Sequence, residues 1–410
     1  MSDESFAGVA SSEKTLARLP IYGCALFILF LFLANIWNFA VERDWPKLRI
    51  RSASPLAGVA KPKPAPWTLS AFLEGETQKA ASINLGRLSP IFPISVRAKN
   101  QLIYSLFGAS AAPGVVIGRH GQLFEQVYID EYCRRDGAAD ANRLSAWAHS
   151  VGEIQDNVTR AGKSFVYVIS PSKAARYSED LPLSAPCAAR ATAMPDKLPP
   201  YLAALREAKA LFVDGARLID EQRVNFPVPL FPRGGTHWNS LAAGLTLKEI
   251  MRVSPSPLVA FDFSWSLAPE PIGTDRDLAD LMNLLRPDLD YPTTEIVSTH
   301  PTGGCARPPR LLAMGGSFVH QLLAAAMLSS CPPQVDYWFF MRTEDNGVEL
   351  GHFRRPPGET GNGERVAADP DALDDNLRQA DMVLLEENES NLSTMRQVGL
   401  LRAAVGRLWH

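Results

Sequence analysis

Two short segments of the chain carry side chains that could perform acyl transfer. Ser317 follows a short apolar run and the pair Gly315-Gly316, and a helical pattern begins directly after it. A strand-to-turn-to-helix junction of this kind presents the hydroxyl beside the N–H groups of a helix start, which could stabilise an oxyanion. His237 follows a second pair, Gly234-Gly235, just before another helical pattern. An imidazole in such a loop is suited to be the general base for the serine.

Each of these residues also has a structural interpretation. A serine before a helix is most often its N-cap, and Asn239 or Ser240 would cap the helix that follows His237. His320 lies three residues after Ser317 on the same helix face, but its side chain would crowd the acyl site, so we favour His237 as the base. The other histidines show no ligand spacing, and the sequence indicates no metal site.

The elements that must position these residues follow an α/β pattern from residue 115 onward. Short apolar runs alternate with helical patterns, as in a parallel sheet covered on both faces. The predicted strands are 115–118, 164–170, 211–214, 258–263, 310–314, 335–341 and 382–386, and the main predicted helices are 142–162, 201–210, 240–253, 275–285, 318–328 and 371–380. In open parallel sheets the chemistry lies at the carboxyl ends of the strands, where Asp214, Ser317 and Glu386 all fall.

The overall composition is that of a globular protein. Of the 410 residues, 46% are hydrophobic and 21% are charged, and the formal net charge is −3. No basic excess indicates a nucleic-acid-binding protein, and no acidic block indicates a disordered tail. Since no cofactor-binding motif occurs either, the sequence predicts neither a nucleic-acid partner nor a bound cofactor.

The N-terminal region has a different composition. No charged residue occurs between Arg18 and Glu42, and at about 1.5 Å per residue this window would span roughly 35 Å as a helix, enough to cross a bilayer. A cleaved signal peptide is the alternative, and bulky Asn38 before a cut after Ala40 argues against it. Basic residues flank the window on both sides, so the positive-inside rule does not orient it. We predict a disordered cytoplasmic tail over 1–18, a transmembrane anchor over 19–41, a linker over 42–66 and one globular domain over 67–410.

Four of the five cysteines lie outside the predicted membrane helix, which contains Cys24. Cys133, Cys187, Cys305 and Cys331 could form two disulfides in an oxidising compartment, with three possible pairings. Four buried free thiols are the alternative.

The two glycine-rich segments together resemble a known family. The order 234–239 (Gly-Gly-Thr-His-Trp-Asn) and then 315–318 (Gly-Gly-Ser-Phe) is similar to the SGNH-hydrolase-like domain of the alginate O-acetyltransferases and related polysaccharide acetylation proteins. Further similar segments occur in the family's order: 116–124, 128–132, 171–173 with Tyr177 and Pro182, and 384–389. The resemblance covers about residues 67–395. It implies an SGNH-like doubly wound parallel sheet in a circularly permuted order, in which the histidine precedes the serine.

This resemblance also implies roles and a location. Ser317 would be the nucleophile that carries an acetyl group, and His237 would be the general base. The acyl-enzyme would pass its acetyl group to a hydroxyl of a secreted polysaccharide instead of to water. The domain would face the periplasm, held to the inner membrane by the N-terminal helix, with acetyl groups exported by a membrane-bound O-acyltransferase partner.

One position departs from the family pattern. The alginate enzymes have an aspartate two residues before the histidine, where this chain has Gly235. Another acid could substitute, the site could be a Ser-His dyad, or the domain could have lost activity; Asp214 and Glu386 are the candidate acids. A Ser172–Lys173 pair is a further alternative, disfavoured because adjacent residues point to opposite sides of an extended chain.

The sequence thus leaves three functions open. We favour a membrane-anchored periplasmic O-acetyltransferase that acts on a secreted polysaccharide. A glycan acetyl-esterase could use the same Ser-His dyad, and a non-catalytic subunit of a polysaccharide acetylation or export complex would account for the missing aspartate.

Overall fold

The structure of the protein is a computed structural model that describes most of the chain. The described residues are 4–41, 54–59, 66–134, 140–256, 258, 261–298, 305–342, 348–394 and 396–409. Most of the predicted linker over 42–66 lies outside them, as does His300, one of the histidines without ligand spacing. The described chain divides into two compact units, Met1–Ala112 with Asp280–Pro287, and Pro113–Ala279 with Asp288–His410. The domain boundaries predicted from the sequence stay predictions.

The first unit is helical. Its helices are α1 (Glu4–Val41), α2 (Leu69–Leu73), α3 (Glu76–Arg87) and α4 (Phe92–Phe107). Within α1, the 24 residues Arg18–Val41 are long and apolar enough to cross a membrane, judged by length and composition. The prediction of a disordered tail over 1–18 is wrong from Glu4 onward, because α1 continues through Ala, Ser, Glu and Lys residues of adequate helix propensity. Near the other end of α1, the Asn38 amide donates to the carbonyl oxygen of Leu88 at 3.0 Å.

The second unit contains the remaining elements. Its helices are α5 (Gln126–Cys133), α6 (Ala141–Arg160), α7 (Lys173–Arg176), α8 (Leu198–Glu207), α9 (Gly215–Gln222), α10 (Ser240–Val253), α11 (Asp277–Leu281), α12 (Val319–Ala326), α13 (Pro370–Gln379) and α14 (Gln397–Trp409). Its strands are β1 (Val115–Ile117), β2 (Leu123–Glu125), β3 (Ser164–Ser170), β4 (Phe212–Asp214), β5 (Phe263–Leu267), β6 (Thr294–Ser298), β7 (Arg310–Gly315), β8 (Gln334–Arg342), β9 (Val348–Arg355), β10 (Glu364–Val366) and β11 (Met382–Asn388).

A seven-stranded sheet organises the second unit, in the order β10-β9-β8-β7-β11-β3-β4. The five strands from β8 to β4 are parallel, whereas β9 and β10 extend the β8 edge in antiparallel fashion. Two separate two-stranded antiparallel sheets, β1-β2 and β5-β6, lie outside this sheet. The predicted doubly wound α/β architecture is confirmed, with a mixed sheet in place of an all-parallel one.

Alternating side chains of the central strands enter two separate cores. On β3, Val166 and Val168 pack into one core with α10 and α12, while Phe165, Tyr167 and Ile169 pack into the other with α6, α8, α13 and α14. Period-two alternation of this kind sends successive side chains to opposite faces. Helices cover both faces of the sheet, and this explains why its strands are near-continuous apolar runs.

The predicted strands that lie in the sheet match the observed ones to within a few residues, and the misses have local causes. The segment of β9 (Val-Glu-Leu-Gly-His-Phe-Arg-Arg) is too polar to be recognised as a strand from its sequence. Of the strand predicted over 258–263, residues 259 and 260 lie outside the described residues, and the observed strand β5 begins at Phe263 and pairs with β6.

The four cysteines outside α1 form two disulfides. Cys133 is joined to Cys187 and Cys305 to Cys331, while Cys24 is free and exposed. Of the alternatives left open by the sequence, the structure therefore has two disulfides. Each closes a loop, of 54 and 26 residues respectively, and closing a loop stabilises the fold by restricting the unfolded chain.

A buried carboxyl group predicts how stability depends on pH. Glu387 accepts hydrogen bonds from the Tyr167 hydroxyl at 2.6 Å and the Trp147 indole at 2.8 Å. Burial raises the pKa of the Glu387 carboxyl from 4.5 to about 7. Between these values the folded state binds more protons than the unfolded state, so the free energy of unfolding falls as pH rises, by up to about 1.4 kcal/mol per pH unit for this group.

We therefore expect Glu387→Gln to flatten the decline of stability between about pH 5 and pH 7. Urea unfolding of the detergent-solubilised protein, followed by tryptophan fluorescence at several pH values, measures it. Because other carboxyls also titrate, the comparison is between the slopes of the two proteins. Equal slopes would show that Glu387 is already ionised in the folded state.

Candidate active site

Ser317 lies in the turn between β7 and α12. The structural interpretation of Ser317 as an N-cap does not hold, because Phe318 occupies that position. Residue 315 must be glycine, since a Cβ atom there would lie 2.5 Å from Oε2 of Glu386. The first backbone hydrogen bond within the turn runs from the Val319 N–H to the carbonyl oxygen of Gly316. The N–H groups of Ser317 and Phe318 come before it in the chain. They are therefore placed as donors for an oxyanion beside the hydroxyl.

Glu386 lies beneath this turn on β11. Its side chain is fully buried and accepts hydrogen bonds from the Gly316 N–H at 2.7 Å and from the Ser170 hydroxyl. The Tyr337 hydroxyl donates to the carbonyl oxygen of Gly316 on the same turn. Burial raises the pKa of the Glu386 carboxyl. These contacts fix the backbone on which Ser317 is carried.

The loop that carries His237 is fixed by a helix cap and by contacts of aromatic side chains. Asn239 caps α10 by accepting from the Ala242 N–H at 3.0 Å, so Asn239 is the cap of the two residues, Asn239 and Ser240, that the sequence left open. The Trp238 indole donates to the carbonyl oxygen of Phe318 at 3.2 Å, joining the histidine loop to the serine turn. The rings of His237 and Phe318 lie 4.9 Å apart between centroids. The two predicted residues are thus brought together by direct contacts between their neighbours in sequence.

Ser317, His237 and Asp277 form a continuous chain of hydrogen bonds. Nε2 of His237 lies 2.7 Å from Oγ of Ser317, and Nδ1 lies 2.6 Å from Oδ2 of Asp277. Because an ionised carboxylate only accepts hydrogen bonds, Nδ1 carries the proton and Nε2 is free to accept the serine proton. This is the arrangement that activates a serine hydroxyl as a nucleophile.

Asp277 is itself fixed on both oxygens. Oδ1 accepts from the N–H of Thr236 at 3.0 Å and from the N–H of Leu278 at 2.7 Å, while Oδ2 faces the imidazole. The residue begins α11, where a carboxylate also interacts favourably with the helix dipole. No sequence motif marks Asp277. A helix was predicted over 275–285. Asp277 lies forty positions after His237 in the chain, and only the tertiary fold brings the two residues together.

The absence of an acid at position 235 has a steric explanation. A Cβ atom on Gly235 would lie 2.3 Å from the carbonyl oxygen of Thr274 and 3.1 Å from the carbonyl carbon of Asp275. The segment that leads into Asp277 therefore occupies the space that a side chain at position 235 would need. The backbone path that places Asp277 beside His237 therefore requires glycine at position 235.

The acids proposed from the sequence have other contacts. Asp214 accepts from the Arg217 N–H at 3.0 Å and caps α9. Glu386 bonds to the serine turn as described, and neither carboxylate bonds to the imidazole. Neither Asp214 nor Glu386 is therefore the acid that orients His237. Each lies at a strand end, as expected, but the residue that contacts Nδ1 of His237 is Asp277, at the end of the 272–277 segment.

Lys173 supports the histidine loop from below. The ammonium group is buried and donates to the carbonyl oxygens of Pro232 at 2.7 Å, Arg233 at 3.1 Å and Gly235 at 2.8 Å. Burial lowers the pKa of the Lys173 ammonium to about 7, with the charge of Asp277 opposing this. Since its three donors are used on the loop, the Ser172–Lys173 pair considered from the sequence does not form.

His320 contacts Arg355 and two aromatic rings and is not part of the hydrogen-bond chain of His237. Its Nδ1 lies 2.7 Å from a terminal nitrogen of Arg355, and its ring packs against Tyr337 and Phe339. Burial lowers the pKa of the His320 imidazole to about 3, and the Arg355 charge adds to this effect. Because arginine has no acceptor, Nδ1 must be the unprotonated nitrogen, and His320 is a neutral ring with its proton on Nε2.

One segment of the chain matches a known family model. Residues 115–294 match the family described as the SGNH hydrolase-like domain of the acetyltransferase AlgX, which confirms the resemblance seen in the sequence. The matched residues include His237 and Asp277 and end before Ser317, so the place of the serine rests on the geometry. No curated protein matches the sequence.

Several solved structures are similar at low identity. The O-acetyltransferase domain of Pseudomonas putida AlgJ is 19% identical, with 71% of this chain and 99% of that chain covered and a TM-score of 0.42. Pseudomonas aeruginosa AlgX is 16% identical, with coverage of 71% and 67% and a TM-score of 0.42. A DHHW family protein from Eubacterium siraeum is 13% identical, with coverage of 71% and 98% and a TM-score of 0.38.

Proposed function

We propose that this protein transfers acetyl groups to hydroxyls of a secreted polysaccharide. The premise is that residues 115–294 match an SGNH hydrolase-like acetyltransferase domain. The observation that carries the proposal is the unbroken hydrogen-bond chain from Ser317 through His237 to Asp277. With an acid in place, the argument for a non-catalytic subunit, which rested on Gly235, loses its basis.

The first half of the reaction acetylates the serine. Oγ of Ser317 attacks the carbonyl carbon of the acetyl donor as its proton passes to Nε2 of His237. The negative charge on the carbonyl oxygen would be stabilised by the N–H groups of Ser317 and Phe318. When the intermediate collapses, the bond between the acetyl carbon and the rest of the donor breaks, and the imidazolium gives its proton to the leaving group. Asp277 stabilises that imidazolium and keeps its orientation.

The second half transfers the acetyl group to the sugar. His237 accepts the proton of a sugar hydroxyl, whose oxygen attacks the acetyl-serine ester. Collapse of this second intermediate forms the sugar ester and returns the proton to Oγ of Ser317. The same steps with water as the acceptor would make the protein an esterase, so the acceptor decides between transferase and hydrolase.

The cellular setting belongs to the same proposal. The apolar helix Arg18–Val41 would anchor the protein in the inner membrane, with the second unit in the periplasm. The two disulfides support this location, since they persist in an oxidising compartment. A membrane-bound O-acyltransferase partner would supply the acetyl groups.

Ser317→Ala tests the function directly. Without the hydroxyl no acyl-enzyme can form, so cells that carry this variant should secrete polymer with its ester-linked acetyl content reduced to background. The acetate released from the polymer by mild alkali measures the effect. Ser264→Ala, which changes an exposed serine on β5, is the matched control and should leave acetylation intact.

The other outcomes are equally informative. Increased acetylation in Ser317→Ala cells would identify the protein as an acetyl-esterase. Unchanged acetylation, with the variant present at normal levels, would overturn both enzymatic functions.

A further inference from the structure

The first unit exposes a cluster of large apolar side chains at and just before α2. Trp67, Leu69, Phe72 and Leu73 are 63%, 76%, 53% and 76% exposed, and residues 67–73 contain no charge. Single exposed apolar residues are normal on a protein surface. Four large ones so close together form a patch of the kind that marks an interaction surface. We call these four side chains the α2 patch.

The α2 patch belongs to a defined helical segment. The Thr68 hydroxyl oxygen caps α2 by accepting from the Ala71 N–H at 3.2 Å, and Ala71 is the buried residue of this helix. At the start of the segment, the carbonyl oxygen of Pro66 accepts from the Thr77 hydroxyl on α3. Because these contacts fix the backbone, the apolar side chains are held on the outside of the unit.

The helix α3 connects this patch to the helix that can cross a membrane. It contacts both α1 and α2. At its C-terminal end, the carbonyl oxygen of Leu88 accepts from the amide of Asn38, which is fully buried on α1. Asn38 lies three positions before Val41, so this contact is roughly 5 Å from the end of the apolar window, at the level of the lipid headgroups if α1 spans a bilayer. Since α3 has 12 residues and is about 18 Å long, α2 lies within about that distance of the same level.

The charge of the chain next to the patch indicates which surface would cover it. Residues 42–66 have an excess of basic side chains, with Arg43, Lys47, Arg49, Arg51, Lys61 and Lys63 against Glu42 and Asp44. Basic segments beside a membrane helix are attracted to anionic headgroups, and tryptophan is enriched at the membrane–water interface. A lipid surface therefore accounts for the charge, for Trp67 and for the apolar side chains together, whereas an apolar groove on another protein accounts only for the last.

We propose that the α2 patch inserts into the surface of an anionic lipid bilayer beside α1. Leu69, Phe72 and Leu73 would lie among the upper parts of the acyl chains, and Trp67 would lie at the headgroups. The protein would then have two attachments to one bilayer, one on each side of residues 42–66 in the sequence. This inference rests on α1 as the membrane anchor and is independent of the chemistry at Ser317.

A fluorescent label on the patch tests the insertion in the full chain. The other four cysteines are joined in disulfides, so Cys24 is the free thiol, and Cys24→Ser removes it. In that background Leu73→Cys places a thiol on the patch, and Leu183→Cys places one at a leucine of the second unit that is 77% exposed. Each protein is labelled with a nitrobenzoxadiazole maleimide and reconstituted into vesicles of phosphatidylethanolamine and phosphatidylglycerol.

Quenching from the lipid and from the water then locates each label. Lipids with a nitroxide near the headgroup end of an acyl chain should quench the Leu73→Cys label at least about threefold more strongly than the Leu183→Cys label, because interfacial helices bury their apolar face roughly 5–10 Å deep. Iodide in the water should quench the two labels in the opposite order. Equal lipid quenching of both labels would overturn the inference. Protection of the Leu73→Cys label from both quenchers would also overturn it, since a protein surface would then cover the patch.

A charge introduced on the patch should oppose the insertion. In the Leu73→Cys protein, Leu69→Asp should reduce lipid quenching by at least about twofold, because a carboxylate is unfavourable among acyl chains. Val224→Asp, at an exposed valine of the second unit, is the matched control and should leave the quenching unchanged. Both substituted side chains are exposed, and circular dichroism checks that the helices are retained. Unchanged quenching in the Leu69→Asp protein would show that the patch does not hold the label in the lipid.

The anchor and the patch fail in different ways. In the protein with its natural cysteines the same label reacts with Cys24, within the apolar part of α1. Lipid quenching at Cys24 without lipid quenching of the Leu73→Cys label would refute the patch and leave the anchor standing. An absence of lipid quenching at both positions would refute both. Neither result changes the test of Ser317, which is the acetyl content of the polymer.

Discussion

Asp277→Asn should lower the kcat for acetyl transfer by roughly three to four orders of magnitude, the loss expected when the acid of a serine-histidine-acid site becomes an amide. The amide can donate a hydrogen bond to Nδ1 of His237, which would move the imidazole proton to Nε2. The base would then have no lone pair directed at Oγ of Ser317. Steady-state release of p-nitrophenol from p-nitrophenyl acetate measures the loss, and thermal unfolding checks that the variant folds.

Asp214→Asn is the control for this prediction. Asp214 is also an aspartate at the start of a helix in the same unit, and asparagine is an equally good N-cap, so this variant should remain within a few-fold of the wild-type rate. If Asp214→Asn proves as inactive as Asp277→Asn, the acid has been assigned to the wrong residue.

Gly235→Ala should lower kcat/KM by about a hundredfold or more, which is what a displacement of roughly 1 Å in a catalytic group can cost. The added methyl group cannot coexist with the Thr274 carbonyl oxygen, so the 274–275 backbone must move and Asp277 must move with it. The same ester assay measures the loss. Gly399→Ala, where a Cβ atom would meet no neighbouring atom within 4 Å, is the matched control and should be active.

A companion variant tests the steric explanation itself. Gly235→Asp places an acid where the alginate enzymes have theirs, but in this chain the position is filled by another backbone segment. We therefore expect Gly235→Asp to leave the Asp277→Asn variant inactive. Restored activity would mean that the 272–277 segment yields readily and that the two positions are interchangeable.

The sequence predicted those elements whose residue pattern is contained in a short segment, and it missed those that are placed by contacts with distant segments. The strand Ser164–Ser170 was predicted to the residue, because a fully buried strand is a continuous apolar run between breakers. The polar edge strand Val348–Arg355 carries no such pattern, and its place was decided by pairing with β8.

The same distinction applies to the candidate site. Ser317 and His237 stood out because glycine pairs precede them and helices follow them, which is a local signal. Asp277 had no such mark, since its position depends on the path of residues 272–277 over Gly235. The Ser172–Lys173 pair was disfavoured from the sequence and does not form, but the sequence does not show that the Lys173 ammonium group donates to three loop carbonyls.

The packing of the Thr274 carbonyl against Gly235 bears on how relatives of this chain are sorted into active and inactive members. A survey that requires an aspartate two residues before the histidine would set this protein aside as degenerate. In this structure residue 235 has no room for a side chain, and the acid that contacts the histidine is Asp277, which follows the segment that fills this space. Related sequences with glycine at the position of residue 235 should be searched for an aspartate at the start of a short helix downstream before their chemistry is discounted.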